Sequence, residues 1–270
     1  MNRNEILGTP SMPAASPSYP FGPYRFVDRE YFIISYQSDP EAVRAALPEP
    51  LEPTPESLVY YEWIRMPDSS GFGDYTESGV VIPCLLQGKR CNFTAQMYLD
   101  DDPPIVAGRE IWGFPKKWAK PRLAVNTDTL TGTLHYADER VAMGTMAYKY
   151  HVCDPQNGYA SLATTQINLK LIPDVDGRLA IAQLVGYELT EVTVKGIWSG
   201  PARLHLVPHV NAPVADLPVR RMVGGRHFIA DLTLPYGRVI HDYLQEAAAA
   251  MTEPVTLLRA GRSHSASSGG

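Results

Sequence analysis

Short runs in which apolar and polar residues alternate cover most of the chain. Ile167, Leu169 and Leu171 are separated by Asn168 and Lys170, and this period of two is typical of a strand with one buried face. The pattern recurs more loosely along the interior and predicts a mainly β structure. The further predicted strands are residues 31–36, 59–66, 91–99, 130–136, 141–152, 192–195, 203–207 and 228–234.

Dipeptides that contain glycine mark the predicted turns between these strands. Glycine adopts the positive φ angles that many turns require, so such pairs are strong turn signals. The pairs are Asp176-Gly177, Thr131-Gly132 and Gly224-Gly225.

Two helices are predicted beside the strands. Asp39 is a candidate N-cap for a helix over residues 40–47, with Pro40 at its first position and Pro48 ending it. A longer helix is predicted from about Gly237 into the alanine run at 247–250. Many strands at short spacing with two minor helices predict an antiparallel barrel or sandwich, whose interior or mouth would hold a small ligand.

Composition and charge narrow the class of protein. The 270 residues are 44% hydrophobic and 20% charged, with a net charge of -5, which is globular composition without the basic surface of a nucleic-acid-binding protein. Three scattered cysteines predict neither a disulfide framework nor a zinc site. Residues 1–16 lack the apolar core of a signal peptide, and the apolar run at 80–86 is too short to span a membrane. We therefore expect a cytoplasmic protein that binds neither nucleic acid nor membrane.

The distribution of small and polar residues predicts one folded domain. Residues 1–14 are expected to form an N-terminal arm, residues 15–250 a single domain, and residues 251–270 a flexible tail rich in Ser, Ala and Gly.

The adjacent lysines Lys116 and Lys117 are the most unusual local feature. Such a pair is usually solvated at the surface, but aromatic and apolar residues surround this one. An ammonium group is costly to bury in an apolar site unless it loses its charge. A lysine that is neutral near physiological pH is a nucleophile for ketones. The surrounding residues are Ile111, Trp112, Phe114, Pro115 and Trp118.

Two physical causes would lower the pKa of one of these lysines, namely burial and repulsion from the other ammonium. In an extended segment successive side chains point to opposite faces, so only one lysine enters a given cavity. Two ammonium groups repel by about 4 kcal/mol at about 4 Å and by about 1.4 kcal/mol at about 12 Å, at an effective dielectric constant of about 20. We therefore expect burial to dominate, with Lys117 as a secondary cause.

The segments around these lysines and elsewhere resemble acetoacetate decarboxylases over roughly residues 15 to 244. Phe114-Pro115-Lys116-Lys117 resembles the signature of that family. The other matching segments are Gly22-Pro23-Tyr24, Asp28-Arg29-Glu30-Tyr31, Pro48-Glu49-Pro50-Leu51, Tyr75-Thr76-Glu77-Ser78-Gly79, Met97-Tyr98-Leu99-Asp100, Gly108-Arg109-Glu110, Trp198-Ser199-Gly200-Pro201 and Asp216-Leu217-Pro218-Val219.

The resemblance implies which residues form the site. Lys116 falls on the family's Schiff-base lysine and Lys117 on its partner lysine. Arg29, Glu62 and Glu77 fall on the positions that supply the polar part of an otherwise apolar pocket. The implied fold is a closed, cone-like antiparallel β-barrel or double sheet with few peripheral helices, assembled into a large homo-oligomer, a dodecamer by resemblance.

The resemblance also implies the reaction. Lysine activation of this kind is established for acetoacetate decarboxylases. A neutral Lys116 would add to the ketone of a 3-keto acid, lose water, and hold the electron pair left by CO2 as an enamine, with no metal or organic cofactor. Arg29 would attract the carboxylate or hold Glu77, and Glu77 or Glu62 would position substrate, crowd the carboxylate or relay a proton.

Two other functions remain open on the sequence. One keeps the Schiff base but yields an aldolase–dehydratase or a decarboxylase of another 3-keto acid, and the other is a non-catalytic β-barrel that binds a small carbonyl compound. One departure from the family bears on substrate choice. Thr165-Gln166-Ile167 stands where relatives carry Pro-Asn-aromatic, so substrate preference would differ if this strand lines the pocket.

Overall fold

A computed structural model describes residues 1–252 and the side chains of residues 1–249. Strands dominate this part of the chain, and helices are few and short, which confirms the mainly β prediction. The helices are α1 (Arg3–Leu7), α2 (Pro40–Ala46), α3 (Asp102–Ala107), α4 (Pro155–Ala163) and α5 (Tyr243–Thr252), with a π-helical turn at Gly108–Trp112 and a 3-10 turn at Val214–Asp216.

The strands follow one another closely along the chain. They are β1 (Tyr24–Gln37), β2 (Glu52–Pro53), β3 (Leu58–Ser69), β4 (Gly73–Leu86), β5 (Lys89–Leu99), β6 (Lys116–Trp118), β7 (Lys120–Asn126), β8 (Thr129–Tyr136), β9 (Glu139–Ala147), β10 (His151–Val152), β11 (Gln166–Pro173), β12 (Leu179–Tyr187), β13 (Thr190–Gly200), β14 (Ala202–Leu206), β15 (Arg221–Leu234) and β16 (Arg238–Asp242).

These strands form a large and a small sheet within residues 1–252. The large sheet runs β10-β13-β15-β1-β3-β4-β5-β11-β12-β16, with β2 paired to β4 and β6 paired to β5, and the small sheet runs β14-β9-β8-β7. Pairing is antiparallel except that β11 and β6 run parallel to β5. The end strands β10 and β16 do not pair with each other in the described part of the chain, so the predicted closure of the sheet is not confirmed.

The central strands of the large sheet are buried on both faces. In β1, Phe32 and Ile34 pack toward the small sheet, whereas Tyr31 and Ile33 belong to a second apolar cluster on the other side. This is why residues 31–36 are apolar at nearly every position, since a strand covered on both sides loses its alternation. The first face carries the main core, and the second face carries the site described below.

Trp63 fills the space between the two sheets. Its side chain is fully buried, and it lies against two glycines of the small sheet. A Cβ added at Gly132 would lie 2.2 Å from the indole, and one at Gly144 would lie 2.5 Å from it. The prediction of a turn at Thr131-Gly132 was therefore wrong, because Gly132 lies inside β8 where it makes room for Trp63.

The other glycine pairs divide in the same way. Asp176-Gly177 lies in the turn between β11 and β12, as predicted, and Gly177 has a φ of +83°. Gly224 and Gly225 lie inside β15, so the turn predicted there was wrong. An added Cβ at Gly225 would lie 2.6 Å from the sulfur of Met146, so close packing explains this glycine.

The predicted helix at residues 40–47 is confirmed as α2, but the Asp39 side chain does not make the predicted capping hydrogen bond. Asp39 is the N-cap residue and makes no side-chain capping hydrogen bond. Its carboxylate instead accepts two hydrogen bonds from Arg220, at 2.8 and 2.7 Å. The salt bridge to a distant segment replaces the local cap.

The helix predicted from Gly237 was wrong over its first part. Residues Arg238–Asp242 form β16 and pair with β12, and the helix begins only at Tyr243. Sheet pairing with β12 overrides the helical propensity that the following alanines suggest. Most of the predicted tail at 251–270 lies outside the described residues. Within those residues, no helix is long and apolar enough to cross a membrane.

Candidate active site

A cavity of about 80 Å³ lies on the face of the large sheet that points away from the small sheet. Strands β1, β3, β4 and β5 form its floor, and β6, β12, β15 and helix α4 contribute to its walls. Most of its lining is aromatic or aliphatic. Its lining includes Phe26, Arg29, Tyr31, Glu62, Glu77, Phe114, Lys116 and Gln166.

Lys116 extends into this cavity from the first position of β6. It pairs with Met97 of β5, and only 6% of its surface is exposed. Its Nζ lies 5.0 Å from the centre of the Phe114 ring. A Cβ added at Gly108, in the π-helical turn, would lie 2.6 Å from Cδ of Lys116. A glycine at position 108 therefore leaves the space that the lysine side chain occupies.

Burial and charge act on the Lys116 amine in opposite directions. Nζ of Lys116 lies 2.6 Å from Oε1 of Glu77, and this carboxylate favours the ammonium form. Burial outweighs it and lowers the pKa of Lys116 below its ordinary value, with a further lowering by the Arg29 guanidinium. The site therefore makes neutral amine available at lower pH than an exposed lysine would.

Lys117 points to the opposite face of β6 and is not among the residues that line the cavity. Its Nζ donates a 2.5 Å hydrogen bond to the carbonyl of Asn211 and lies 5.1 Å from the centre of the Tyr136 ring. The predicted dominance of burial in lowering the pKa of Lys116 is confirmed. The nearby cation that contributes is Arg29 rather than Lys117, because an extended strand separates adjacent side chains.

Arg29 and Glu77 form the polar floor of the cavity beside Lys116. The guanidinium of Arg29 lies between two rings, with its Cζ 5.0 Å from the centre of Phe26 and 4.9 Å from that of Tyr31. Nη2 of Arg29 is 4.0 Å from Oε2 of Glu77. Glu77 thus stands between two cationic groups, with one carboxylate oxygen toward each.

Glu62 lies in the same transverse row of the sheet as Lys116. The register runs from Glu62 through Gly79 and Met97 to Lys116. Burial raises the pKa of Glu62 from 4.5 to about 7, partly offset by Arg29. Glu62 is therefore a carboxylic acid in mildly acidic solution, unlike an exposed glutamate.

Several cavity residues were missed by the sequence analysis. Tyr31, Tyr75 and Tyr187 line the cavity, but a tyrosine in an apolar strand pattern does not differ from an ordinary core residue. Gln166 also lines the cavity, beside its parallel partner Asn92. Thr165-Gln166-Ile167 is the segment that differs from the family pattern, and through Gln166 its strand contributes to the pocket. An altered substrate preference was predicted for that case.

These residues form a candidate active site of the kind built around a buried lysine. A buried amine of lowered pKa, a guanidinium and two carboxylates converge in a mostly apolar cavity, which suits nucleophilic chemistry on a small carbonyl compound. In the part of the chain that the structure describes, no group of three or more His, Cys, Asp or Glu side chains is placed to hold a metal ion.

Comparison with known proteins identifies the family. Residues 9–244 match the model of the family described as acetoacetate decarboxylase (ADC), and the chain belongs to this family. It is 57% identical over 234 residues to an acetoacetate decarboxylase of Bordetella avium (strain 197N), covering 87% of this chain and 95% of that protein. It is 56% identical over 236 residues to one of Burkholderia vietnamiensis (strain G4 / LMG 22486), covering 87% and 96%.

A solved structure agrees with the family assignment. The crystal structure of acetoacetate decarboxylase from Legionella pneumophila superimposes with a TM-score of 0.84 at 49% identity, and the match covers 88% of this chain and 96% of that one.

Proposed function

We propose that this protein decarboxylates acetoacetate to acetone and CO2 through a Schiff base on Lys116. The observation that carries the proposal is the position of the Lys116 amine, which is buried in the cavity, where loss of solvation lowers its pKa. Membership of the acetoacetate decarboxylase family supports the same substrate.

The chemistry follows from a neutral amine. Nζ of Lys116 adds to the ketone carbon, and the carbinolamine loses water to give a protonated imine. The bond to the carboxylate carbon then breaks, CO2 leaves, and its electron pair moves to the iminium nitrogen to form an enamine. The enamine carbon takes up a proton, and water hydrolyses the resulting iminium to acetone and free Lys116.

Glu77 is proposed to move protons at the lysine nitrogen. Its Oε1 is the nearest carboxylate oxygen to Lys116, at 2.6 Å, which is within the reach that a general base requires. Glu77 would take the proton from the attacking amine and return it to the hydroxyl that leaves as water. The contact also reduces the fraction of neutral amine at a given pH, because the carboxylate raises the pKa of Lys116.

Arg29 is proposed to bind the substrate carboxylate. Its guanidinium is held between Phe26 and Tyr31 on the cavity floor, and its Nη2 lies 4.0 Å from Glu77, too far for a direct hydrogen bond. In a mostly apolar cavity an anion would be drawn to this cation. The ketone carbon of a bound 3-keto acid would then lie toward Lys116.

Glu62 is proposed to protonate the enamine carbon. Its pKa of about 7 leaves it protonated below neutral pH, so it can donate a proton where an exposed glutamate could not. Lys117 is proposed to act outside the cavity, by fixing β6 through its bond to the carbonyl of Asn211.

The volume of the cavity favours a small substrate. A water molecule needs roughly 10–15 Å³ of such space, so about 80 Å³ suits a compound the size of acetoacetate. We also propose the finer features that the family resemblance implies, namely a closed cone-like sheet, a single domain over residues 15–250, a large homo-oligomer and a cytoplasmic location.

Release of CO2 and acetone from acetoacetate near pH 6 tests the proposal. We expect stoichiometric release of both products by the purified protein, and no release above the spontaneous background by Lys116→Ala. Trapping of an adduct without CO2 release would favour an aldolase–dehydratase or another 3-keto acid as substrate. Neither adduct nor release would leave a carbonyl-binding protein without catalysis.

A further inference from the structure

Strand β1 contains an extra residue directly before Arg29 relative to its partner β15, whereas its pairing with β3 stays in register. Phe26 pairs with Leu232 and Arg29 pairs with Ala230, so three steps along β1 match two steps along β15. Such a bulge changes which face of the sheet the following side chains occupy. Arg29 and Tyr31 line the cavity two residues apart, and strict alternation would put Phe26 on the other face. The bulge brings Phe26 onto the cavity face as well.

The change of face at the bulge determines where the Arg29 guanidinium lies. Its Cζ packs over Phe26 on one side of the bulge and over Tyr31 on the other. Its Nε is buried and has no hydrogen-bond partner among the described residues. Ring contacts, the backbone of the bulge and the 4.0 Å ion pair with Glu77 therefore hold the guanidinium.

An ionic cluster holds the bulge from the opposite face of the sheet. The bulged residue Asp28 has a φ of +54°, and its backbone N–H donates a 2.8 Å hydrogen bond to Oδ1 of Asp231. Nζ of Lys195 lies 2.6 Å from Asp28 and 2.7 Å from Asp231. The Asp231 side chain is only 17% exposed, whereas Asp28 lies at the surface.

We propose that Asp231 is a positioning residue for the decarboxylation, acting through the Asp28 bulge to hold Arg29 at the carboxylate end of the cavity. Positive φ is uncommon for residues other than glycine, although Asp and Asn tolerate it better than most. Without an acceptor at position 231, the Asp28 N–H would lose its partner and the bulge would relax toward a regular ladder. Arg29 would then leave the groove between the two rings.

The inference rests on the proposed function, since it assigns Arg29 to the substrate carboxylate. It predicts a selective defect. Binding of acetoacetate would weaken, but imine formation with a ketone that has no carboxylate would not. Acetone is such a ketone. By the reverse of the last steps it forms an iminium and then an enamine on Lys116, and this reaction exchanges the methyl hydrogens of acetone with solvent.

The experiment compares Asp231→Ala with Asp231→Asn. In Asp231→Ala we expect KM for acetoacetate to rise at least tenfold, while acetone hydrogen exchange in D2O, followed by NMR, stays within about threefold of the parent. Asp231→Asn keeps an oxygen acceptor and should restore KM to within about threefold. Asp39→Ala, which removes an exposed carboxylate paired with Arg220, is the matched control and should leave both values unchanged.

A second pair of variants keeps the proposal testable if Asp231→Ala does not fold. Asp28→Asn tolerates the positive φ and should behave like the parent protein, whereas Asp28→Val should raise KM as Asp231→Ala does. An unchanged KM in a folded Asp231→Ala or Asp28→Val protein would overturn the inference. So would equal losses of decarboxylation and acetone exchange. Absence of CO2 release in the parent protein would instead overturn the proposed function.

Discussion

Lys116 and Lys117 are adjacent in sequence and lie on opposite faces of β6. Lys116 is buried in the cavity beside Glu77, and Lys117 donates to the carbonyl of Asn211 outside it. The strand geometry thus separates two ammonium groups that the sequence places side by side. The consequence is that the two lysines should respond very differently to the same substitution.

Replacement of each lysine by alanine tests this separation. Lys116→Ala should lose all decarboxylation above background, because Lys116 is the one lysine among the described residues that line the cavity. Lys117→Ala should keep activity within about tenfold, because the lost ammonium group lies outside the cavity, against a backbone carbonyl and the ring of Tyr136. Steady-state CO2 release and circular dichroism measure activity and folding together. Equal collapse of both folded variants would refute burial as the main cause of Lys116 activation.

The pH dependence of turnover should report Glu62. Its pKa is raised to about 7 by burial, and the proposed donor is the protonated form. Activity should therefore fall as pH rises through about 7. In Glu62→Gln that alkaline limb should disappear, with kcat lower by at least tenfold because the amide does not donate an acidic proton. A limb near pH 7 that persists in Glu62→Gln would assign it to another group.

Neutralising Glu77 should shift the acidic limb of the same profile. The Glu77 carboxylate raises the pKa of Lys116 against the lowering by burial, so Glu77→Gln should lower that pKa further. Trapping of the imine by borohydride should then persist to lower pH than in the parent, while kcat falls at least tenfold through loss of the proton relay. Glu188→Gln, at a partly exposed salt bridge with Arg238, is the control. An unmoved acidic limb would show that the 2.6 Å contact does not govern Lys116.

The packing of Trp63 predicts a stability effect far from the chemistry. Gly132→Ala would place a Cβ 2.2 Å from the buried indole, and overpacking of this kind costs about 1–3 kcal/mol. Urea unfolding should show a loss near the upper end of that range. Gly8→Ala makes the same chemical change at an exposed helix end and should cost less than about 1 kcal/mol. A similar midpoint for both variants would mean that the sheets separate easily at Trp63.

The strands could be predicted from the sequence wherever burial of one or both faces produces an alternating or continuous apolar pattern. Residues 31–36 and 91–99 lie within β1 and β5. The first segment is almost wholly β-branched and aromatic, and the second has an apolar residue at each odd position from 91 to 99. The helix predicted from Gly237 was wrong over its first part because a local pattern does not show which strand a segment pairs with. Val239 and Ile240 were read with the alanines that follow them, but they lie in β16, where Val239 pairs with Val185 of β12.

The lysine that enters the cavity was predictable from the sequence, and the geometry around it was not. The Phe114-Pro115-Lys116-Lys117 motif and its aromatic surroundings indicated Lys116, and alternation indicated that Lys117 would point away. The register of the sheet cannot be read locally. The bulge at Asp28 that brings Phe26 and Arg29 to one face, and the row from Glu62 to Lys116, depend on strands far apart in the chain.

We expect Lys116 to form a covalent imine with the substrate during turnover. The most direct measurement is reduction with borohydride in the presence of acetoacetate, followed by peptide mapping by mass spectrometry. We expect one reduced adduct per chain with the mass of an isopropyl group, located on Lys116, and parallel loss of activity. An adduct on Lys117 or Lys170, or full inactivation without any adduct, would contradict the account.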